Sequence, residues 1–327
     1  LLFGVTETLQ GLAHAASRWA ISIDFQLEHL LVVGVGILGL RSHSFARSLV
    51  FPTLIVGILA LLSMRPIMKP RIDALDVGQG DATLVTSSTG FRILFDTGGR
   101  LDAPWGEDGY ARVVTELRKL GVHRLDVVIV SHPDPDHTGA LESVLRSFDV
   151  ERLVVDYYPS NDARLKRSID TWCPRRLSCE LKPPSTMTWH LGELQVTLLR
   201  AEPIDGIRLM DNERSSSLLV EAGASVALLT ADLPQWRELE LLRKLPPKVD
   251  LLKLGHHGSR TSSAPEFIQA LAPKIIWSSH GFLNRFGHPH TEVLAEVNRS
   301  EAQYVTTAER GSIAFEWIHG RWGLAEP

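Results

Sequence analysis

Four residues of metal-ligand type stand within six positions in Ser131-His132-Pro133-Asp134-Pro135-Asp136-His137-Thr138-Gly139. The two prolines stiffen the spacing, so the loop can converge imidazoles and carboxylates on one point. A solvated turn that caps the following helix through Asp136 or Thr138 would account for one acid. It would not account for two imidazoles and a second carboxylate placed directly after an apolar run, so the segment reads as a metal-binding loop. Three more segments offer donors: Asp232 ahead of Pro234, the pair in Gly255-His256-His257-Gly258-Ser259, and Gly287-His288-Pro289-His290. Taken alone, Asp232 reads first as a helix N-cap. One histidine of the 256–257 pair can equally support the other's ligand environment. For His288 and His290, contact with a substrate phosphate is expected ahead of direct ligation. Mixed nitrogen and oxygen donors of this kind suit a divalent ion that activates water.

Each donor segment follows a strand-like run. Arg71–Val77, Ala82–Thr86 and Phe91–Phe95 alternate as strands, with Gly78, Gly80 and Gly90 favouring hairpins. A helix is expected over Tyr110–Leu120, ended by Gly121, and then a strand over Leu125–Val130 whose apolar run implies burial on both faces. A helix over Gly139–Leu145 and a strand over Leu153–Val155 follow, then a looser region to Pro184. Strands are expected over Leu194–Leu198, Leu218–Val220 and Val226–Thr230. The last third alternates: helix 234–244, strand 249–254, helix 265–271, strand 274–278, helix 291–298, and strands 303–306 and 312–317. The pattern predicts an α/β protein of mixed sheets covered by helices, with its polar clusters at strand ends.

Five segments occur in a fixed order: Asp76-Val77-Gly78-Gln79-Gly80-Asp81-Ala82, Phe95-Asp96-Thr97-Gly98, the 131–139 loop, Leu229-Thr230-Ala231-Asp232, and Leu252-Lys253-Leu254-Gly255-His256-His257-Gly258-Ser259. Together they resemble the metallo-beta-lactamase fold superfamily and, within it, the C-terminal domain of the ComEC family of DNA-uptake channel proteins, from about Ile72 to the C-terminus. The resemblance implies an αββα sandwich. It implies that His132 and Asp134 serve one metal position, that Asp136 and His137 serve the other, and that Asp232 bridges them. One histidine of His256 and His257 would complete the second position. Asp96 and Asp81 would stand behind the ligands, Asp96 orienting the loop. The superfamily usually has histidine where Asp134 stands, and this oxygen donor raises the odds of manganese relative to zinc for the one or two ions expected. A histidine often found between the ligand loop and the bridging aspartate has no counterpart in Asp211-Asn212-Glu213-Arg214-Ser215-Ser216-Ser217, and His190 reads as structural.

With two ions about 3.5–4 Å apart, the expected chemistry is phosphodiester hydrolysis by a nuclease, with Asp136, Asp232 and His257 as the catalytic group. Lys253, Ser259, Arg260, Arg285, His288 and His290 are the candidates for substrate phosphate. Arg285 and Asn284, in a glycine-bounded loop with Phe282 and Phe286, offer ring and guanidinium contacts to a single-stranded base. The rival enzyme is a lactone or thioester hydrolase of the same fold, which would need an enclosed apolar pocket. The non-enzymatic rival is a membrane-tethered DNA-binding or channel-assembly module. No Walker loop or dinucleotide fingerprint is present, so energy for transport would come from another protein.

The whole chain has 327 residues and a net charge of −4, which excludes a broadly basic nucleic-acid footprint. That average hides two materials. Residues 1–66 carry only Glu7, Arg18, Asp24, Glu28, Arg41, Arg47 and Arg65 as charged side chains. Leu30–Leu40 and Leu49–Met64 are strongly apolar, with Pro52 and several glycines of the kind tolerated in membrane helices, and Gly11–Phe25 has the period of an interfacial helix. The expected division is a short helical, membrane-associated tail of a competence domain over 1–66 and a hydrolase domain over 67–327, joined at Pro66–Pro70. Leu1 with no basic n-region reads as a cut from a longer chain rather than a signal peptide. Cys173 and Cys179 are spaced for a disulfide, which would fit an extracytoplasmic hydrolase domain on a bacterial inner membrane. Its expected partners are single-stranded DNA, the membrane and other DNA-uptake proteins.

Overall fold

The computed structural model describes residues 68–99, 111–155, 163–174, 177–200, 202, 204–205 and 209–325. The apolar stretches 30–40 and 49–64, the segment 11–25 and the first two residues of the 66–70 junction lie outside these residues. Among the described residues no helix is long and apolar enough to cross a membrane.

Strands β1 (Arg71–Ala74), β2 (Thr83–Thr86), β3 (Arg92–Phe95), β4 (Arg124–Val130), β5 (Asp149–Val155), β6 (Ser178–Leu181), β14 (Ile313–Ile318) and β15 (Arg321–Leu324) form an eight-stranded sheet ordered β15-β14-β1-β2-β3-β4-β5-β6. A seven-stranded sheet is ordered β13-β12-β11-β10-β9-β8-β7, from β7 (Thr186–Leu191), β8 (Leu194–Leu199), β9 (Ser217–Ala222), β10 (Ser225–Leu229), β11 (Leu251–Lys253), β12 (Ile275–Ser278) and β13 (Gln303–Thr306). Strands β3 to β6 pair in parallel, as do β10 to β13. Parallel strands carry their connections over the sheet faces, so their carboxyl ends open together at one edge.

Strand alternation sorts the apolar residues into three layers. In β4, Val127 and Ile129 face the second sheet, whereas Val128 and Val130 face the helices. In β12, Ile275 and Trp277 point inward and Ile276 outward. The inner layer joins the sheets directly: the buried Trp277 ring packs on Phe315 of β14 at 5.1 Å between centroids. Helices α1 (Ala111–Lys119), α3 (Leu141–Ser147) and α4 (Ala163–Trp172) bury Val113, Leu117, Val144 and Leu165 against the outside of the first sheet. Helices α5 (Gln235–Leu241), α6 (Pro265–Leu271) and α7 (Thr291–Arg299) cover the second with Leu241, Phe267, Ile268 and Val293. This is the expected αββα sandwich.

Several local expectations change. The looser region before Pro184 contains α4 and β6, and β7 adds an edge strand where none is expected. Their patterns are half exposed, so little apolar signal marks them. The helix expected from Gly139 divides into a turn, α2 (Pro135–Thr138), and α3, which begins at Leu141. Pro135 occupies the first helical position, where its missing N–H costs nothing. The last strand, β15, and the short α8 (Thr307–Arg310) are additions. Cys173 and Cys179 form a disulfide that ties the end of α4 to β6.

Candidate metal centre

The ligand-type residues come from the ends of neighbouring parallel strands. His132 follows β4, Asp232 follows β10, and His256 and His257 follow β11. Because α2 starts inside the ligand loop, Asp136 and His137 sit on consecutive helical positions and diverge by about 100°. Asp136 therefore meets His257, with 3.2 Å between Oδ2 and Nε2, while His137 meets Asp232, with 3.2 Å between Nε2 and Oδ1. The loop is clamped from behind by the β1–β2 connection. Gly80 lies so close that a Cβ would come within 2.5 Å of the Asp136 carbonyl oxygen, and the Asp81 N–H donates to that same oxygen at 3.0 Å. Only glycine combines that approach with a φ of +142°.

Asp232 is the hub. Its Oδ2 lies 3.5 Å from His256 Nε2, 3.8 Å from His132 Nε2 and 3.9 Å from His257 Nε2. Asp134 Oδ2 is 3.6 Å from His132 Nε2. Ligand atoms of Asp81, His137, Asp232 and His257, all buried, fall within 4.8 Å of one another.

The outer nitrogen of each imidazole is committed to a protein acceptor. His137 Nδ1 pairs with Asp96 Oδ2 at 2.8 Å, and His132 Nδ1 with Ser131 Oγ at 2.9 Å. Ser131 Oγ in turn donates to Asp96 Oδ2 at 2.7 Å. His257 Nδ1 donates to the Ser279 carbonyl at 2.9 Å and His256 Nδ1 pairs with Thr261 Oγ1 at 3.2 Å. This network assigns the proton to Nδ1, so each neutral ring turns the lone pair of Nε2 toward a carboxylate. Lone pair facing carboxylate requires a cation between them, either a proton or a metal ion.

The buried charges follow the same logic. Burial opposes a charge on His137, yet Asp232 and Asp96 outweigh it and raise its pKa well above the ordinary imidazole value. Burial likewise opposes ionisation of Asp232, and His137, His257 and His256 hold it well below the usual carboxylate range. His257 is raised against its burial by Asp81, Asp232 and Asp136, whereas burial lowers the more exposed His256. His132 Nε2, His137 Nε2, Asp232 Oδ1 and Asp81 Oδ1 are buried without a hydrogen-bond partner. Four orphaned donor atoms in one place are costly unless a cation satisfies them, so the residues present fit a divalent ion. The backbone is strained around them: Asp96, Ala231, His256 and His257 all have positive φ, at about 1–3 kcal/mol each.

The structure redistributes some expected roles. Both histidines of the 256–257 pair turn Nε2 toward Asp232. Asp81, expected behind the ligands, stands among them. Lys253, expected to meet substrate phosphate, is 1% exposed: it lies on the inner face of β11 and its Nζ is 2.6 Å from Asp81 Oδ2. A buried ammonium needs such a partner and is shielded from any phosphate outside. The Ser259 hydroxyl bonds to Thr261 within its own turn, and His290 Nδ1 accepts the Arg260 N–H, so both hold the loop together. Arg260 faces Glu292 at 3.8 Å on the surface. His288 lies between the His256 and Phe286 rings, at 5.7 and 5.6 Å between centroids. Arg285 is exposed and stacks over Phe286 at 5.0 Å. In the 211–217 segment, which lacks histidine, buried Ser216 donates its N–H to the Ser131 carbonyl. His190 is exposed on the edge strand β7. Sequence reasoning missed Ser279 and Thr261 as the groups that orient His257 and His256. The Ser-Ser-His run closing β12, parallel to the other donor-bearing strand ends, was the available signal.

Residues 75–175, which include the 131–139 loop, match the Metallo-beta-lactamase superfamily model. ComE operon protein 3 of Bacillus subtilis is 30% identical over 86% of this chain and 38% of its own length. Recombination protein 2 of Haemophilus influenzae is 29% identical over 80% of this chain and 31% of its own length. Thus the chain spans about a third of the curated relatives it matches. Among solved structures, CmlA, a diiron beta-hydroxylase from Streptomyces venezuelae, superposes with a TM-score of 0.48 at 13% identity, covering 77% of this chain and 55% of that one. The chain carries a metallo-beta-lactamase fold, and its homologues include Competence protein ComA of Neisseria gonorrhoeae, 28% identical over 81% of this chain and 35% of its own length.

Proposed function

We propose that this domain is a metal-dependent phosphodiesterase that cuts DNA, single-stranded where it reaches the site, within a membrane-bound DNA-uptake system. The observation that carries the reading is the convergence of four imidazole Nε2 atoms on one buried aspartate whose donors are otherwise unsatisfied. His132, Asp134 and Asp232 would hold one ion, with His256 supplying the nitrogen that the 211–217 segment lacks. Asp81, His137, His257 and Asp232 would hold the other, with Asp136 at its edge beside His257. The mixed donor set suits manganese or zinc. Bound there, the ions would supply an activated water and neutralise charge developing on phosphate oxygens.

The protein's own residues do the rest. Asp96 fixes the loop by accepting from Ser131 N, Ser131 Oγ and His137 Nδ1, so His132 and His137 cannot swing away. Asp136 lies at the edge of the cluster, 3.2 Å from His257, where its carboxylate can orient the attacking water or take its proton. Beside them a cleft of about 410 Å³ is bordered by Arg112 and Arg285 and by exposed aromatic rings. Arg112 is 4.0 Å from Asp76, which also lines the cleft, so Arg285 is the rim cation that favours a phosphodiester over the small neutral ester expected of a lactone hydrolase. Residues 1–66 would form the membrane-associated tail and 67–327 the hydrolase domain, placed outside the cytoplasm, where its disulfide persists.

The test is cleavage of single- and double-stranded DNA by the full chain with manganese or zinc. Cleavage by the wild type, lost by at least about 100-fold in Asp232→Ala and Asp136→Ala, is expected. Unchanged cleavage in either variant would sink the mechanism.

A further inference from the structure

The cleft beside the metal centre has two walls. One is the β1–β2 connection, through Val77 and Gln79; the other is the loop after β12, through Phe282, Arg285 and Phe286. The Gly281 N–H donates to Gln79 Oε1 at 3.2 Å and ties the walls together. The opposite end of that side chain, Gln79 Nε2, is buried with no hydrogen-bond partner, which leaves its two N–H donors unpaired at the seam. Phe282 is 76% exposed, whereas Phe286, with His288 and Arg285 against its ring, keeps 38% of its surface open. Asn284 does not face a ligand: its amide donates to the Gly281 and His288 carbonyls and accepts the His288 N–H, which holds the loop in shape.

A ladder of flat groups connects cleft and centre. The His257 ring stacks with His288 at 6.2 Å and 28° between planes, His288 stacks with Phe286 at 5.6 Å and 23°, and the Arg285 guanidinium lies 5.0 Å from the Phe286 ring centroid. His257 Nε2 is itself 3.2 Å from Asp136. A flat ligand in the cleft would therefore sit beside the group that would receive the scissile phosphate. The volume of about 410 Å³ lies within the roughly 300–1,000 Å³ range of small-molecule pockets.

We propose that this cleft is a nucleobase subsite that stacks the base next to the scissile phosphate on Phe282 and Phe286 and so sets the position of the cut, an inference that rests on the phosphodiesterase reading. The exposed rings supply π faces that any base can use, and Arg285 supplies a planar cation. Stacking uses the π face that every base has, so the subsite is indifferent to sequence. A lipid surface would not account for the ring ladder or for the unpaired amide.

The full chain is tested without metal, so that binding is read apart from cleavage. Fluorescence anisotropy compares a short oligothymidylate with a base-free strand of the same length. Wild type is expected to bind oligothymidylate about tenfold more tightly, and Phe282→Ala and Phe286→Ala to lose most of that difference while Phe286→Trp keeps it. The exposure of both rings keeps the fold out of the result. Equal binding of the two strands by wild type, or alanine variants that bind like wild type, would overturn the subsite. So would alanine variants that lose affinity only for anionic vesicles, which would make the loop a membrane tip. Cleavage with manganese is assayed in parallel: a wild type that stacks bases but never cuts refutes the phosphodiesterase reading, whereas one that cuts without stacking refutes only the subsite.

Discussion

Asp96 accepts three hydrogen bonds while itself completely buried, and through them it sets the direction of His132 and His137. Its side chain never faces the substrate side, so its effect belongs to ligand orientation. Asp96→Asn keeps the shape but places an amide donor or a weaker acceptor against His137 Nδ1, and partners of this kind are worth about 10–100-fold in metal affinity. Metal titration of the full chain should show a loss of that size in Asp96→Asn, and an unshifted titration would remove Asp96 from this role. The motif residues were legible at this scale because histidines and acids directly after apolar runs have no packing explanation. What could not be read was direction. Lys253 looks like a phosphate ligand beside His256 until strand parity turns it inward onto Asp81.

Helix α5 reaches across to the start of α6 through Glu238, which is fully buried and accepts the Ser263 and Ala264 N–H groups at 2.9 Å each. Burial raises this carboxyl from its ordinary 4.5 to about 7, against the two backbone donors that favour the charged form. A carboxyl raised in the folded state binds its proton more tightly there than in the unfolded chain, so its contribution is fully present below pH 4.5 and is lost as pH rises through 7. The loss amounts to about 3 kcal/mol across that window. Urea unfolding at pH 5 and pH 8 should show wild type losing about that much more than Glu238→Gln, and parallel profiles would contradict it. Nothing in the sequence marks Glu238, since a glutamate on an amphipathic helix is ordinarily solvated. Edge elements were illegible for the opposite reason: β6 and β7 expose every other residue and carry no continuous apolar run.

At the scale of the whole molecule, two helix-covered sheets meet along an inner apolar layer, and the ligand-bearing ends of both open at one edge. The disulfide between Cys173 and Cys179 staples a region far in sequence from those strand ends and closes a loop with a separation of six residues. Chain-entropy arguments give about 2 kcal/mol for so short a loop. The Cys173→Ser, Cys179→Ser double variant and the reduced wild type should therefore unfold at similarly lower urea concentrations, and identical midpoints before and after reduction would show that no disulfide forms. By itself the sequence determined which residues are of metal-ligand type, the α/β class with mixed sheets and the order of the donor segments, because periodicity and residue type are local properties, while the sandwich came from the family resemblance. Only the tertiary structure decided that His256 and His257 both turn to Asp232, that Asp81 joins the ligands with Lys253 neutralising it, and that Phe286 stacks toward the centre. Those facts depend on which strand ends lie side by side and which face each side chain takes, and Asp81 and Lys253, carried by different sheets, meet only when the two sheets close on each other.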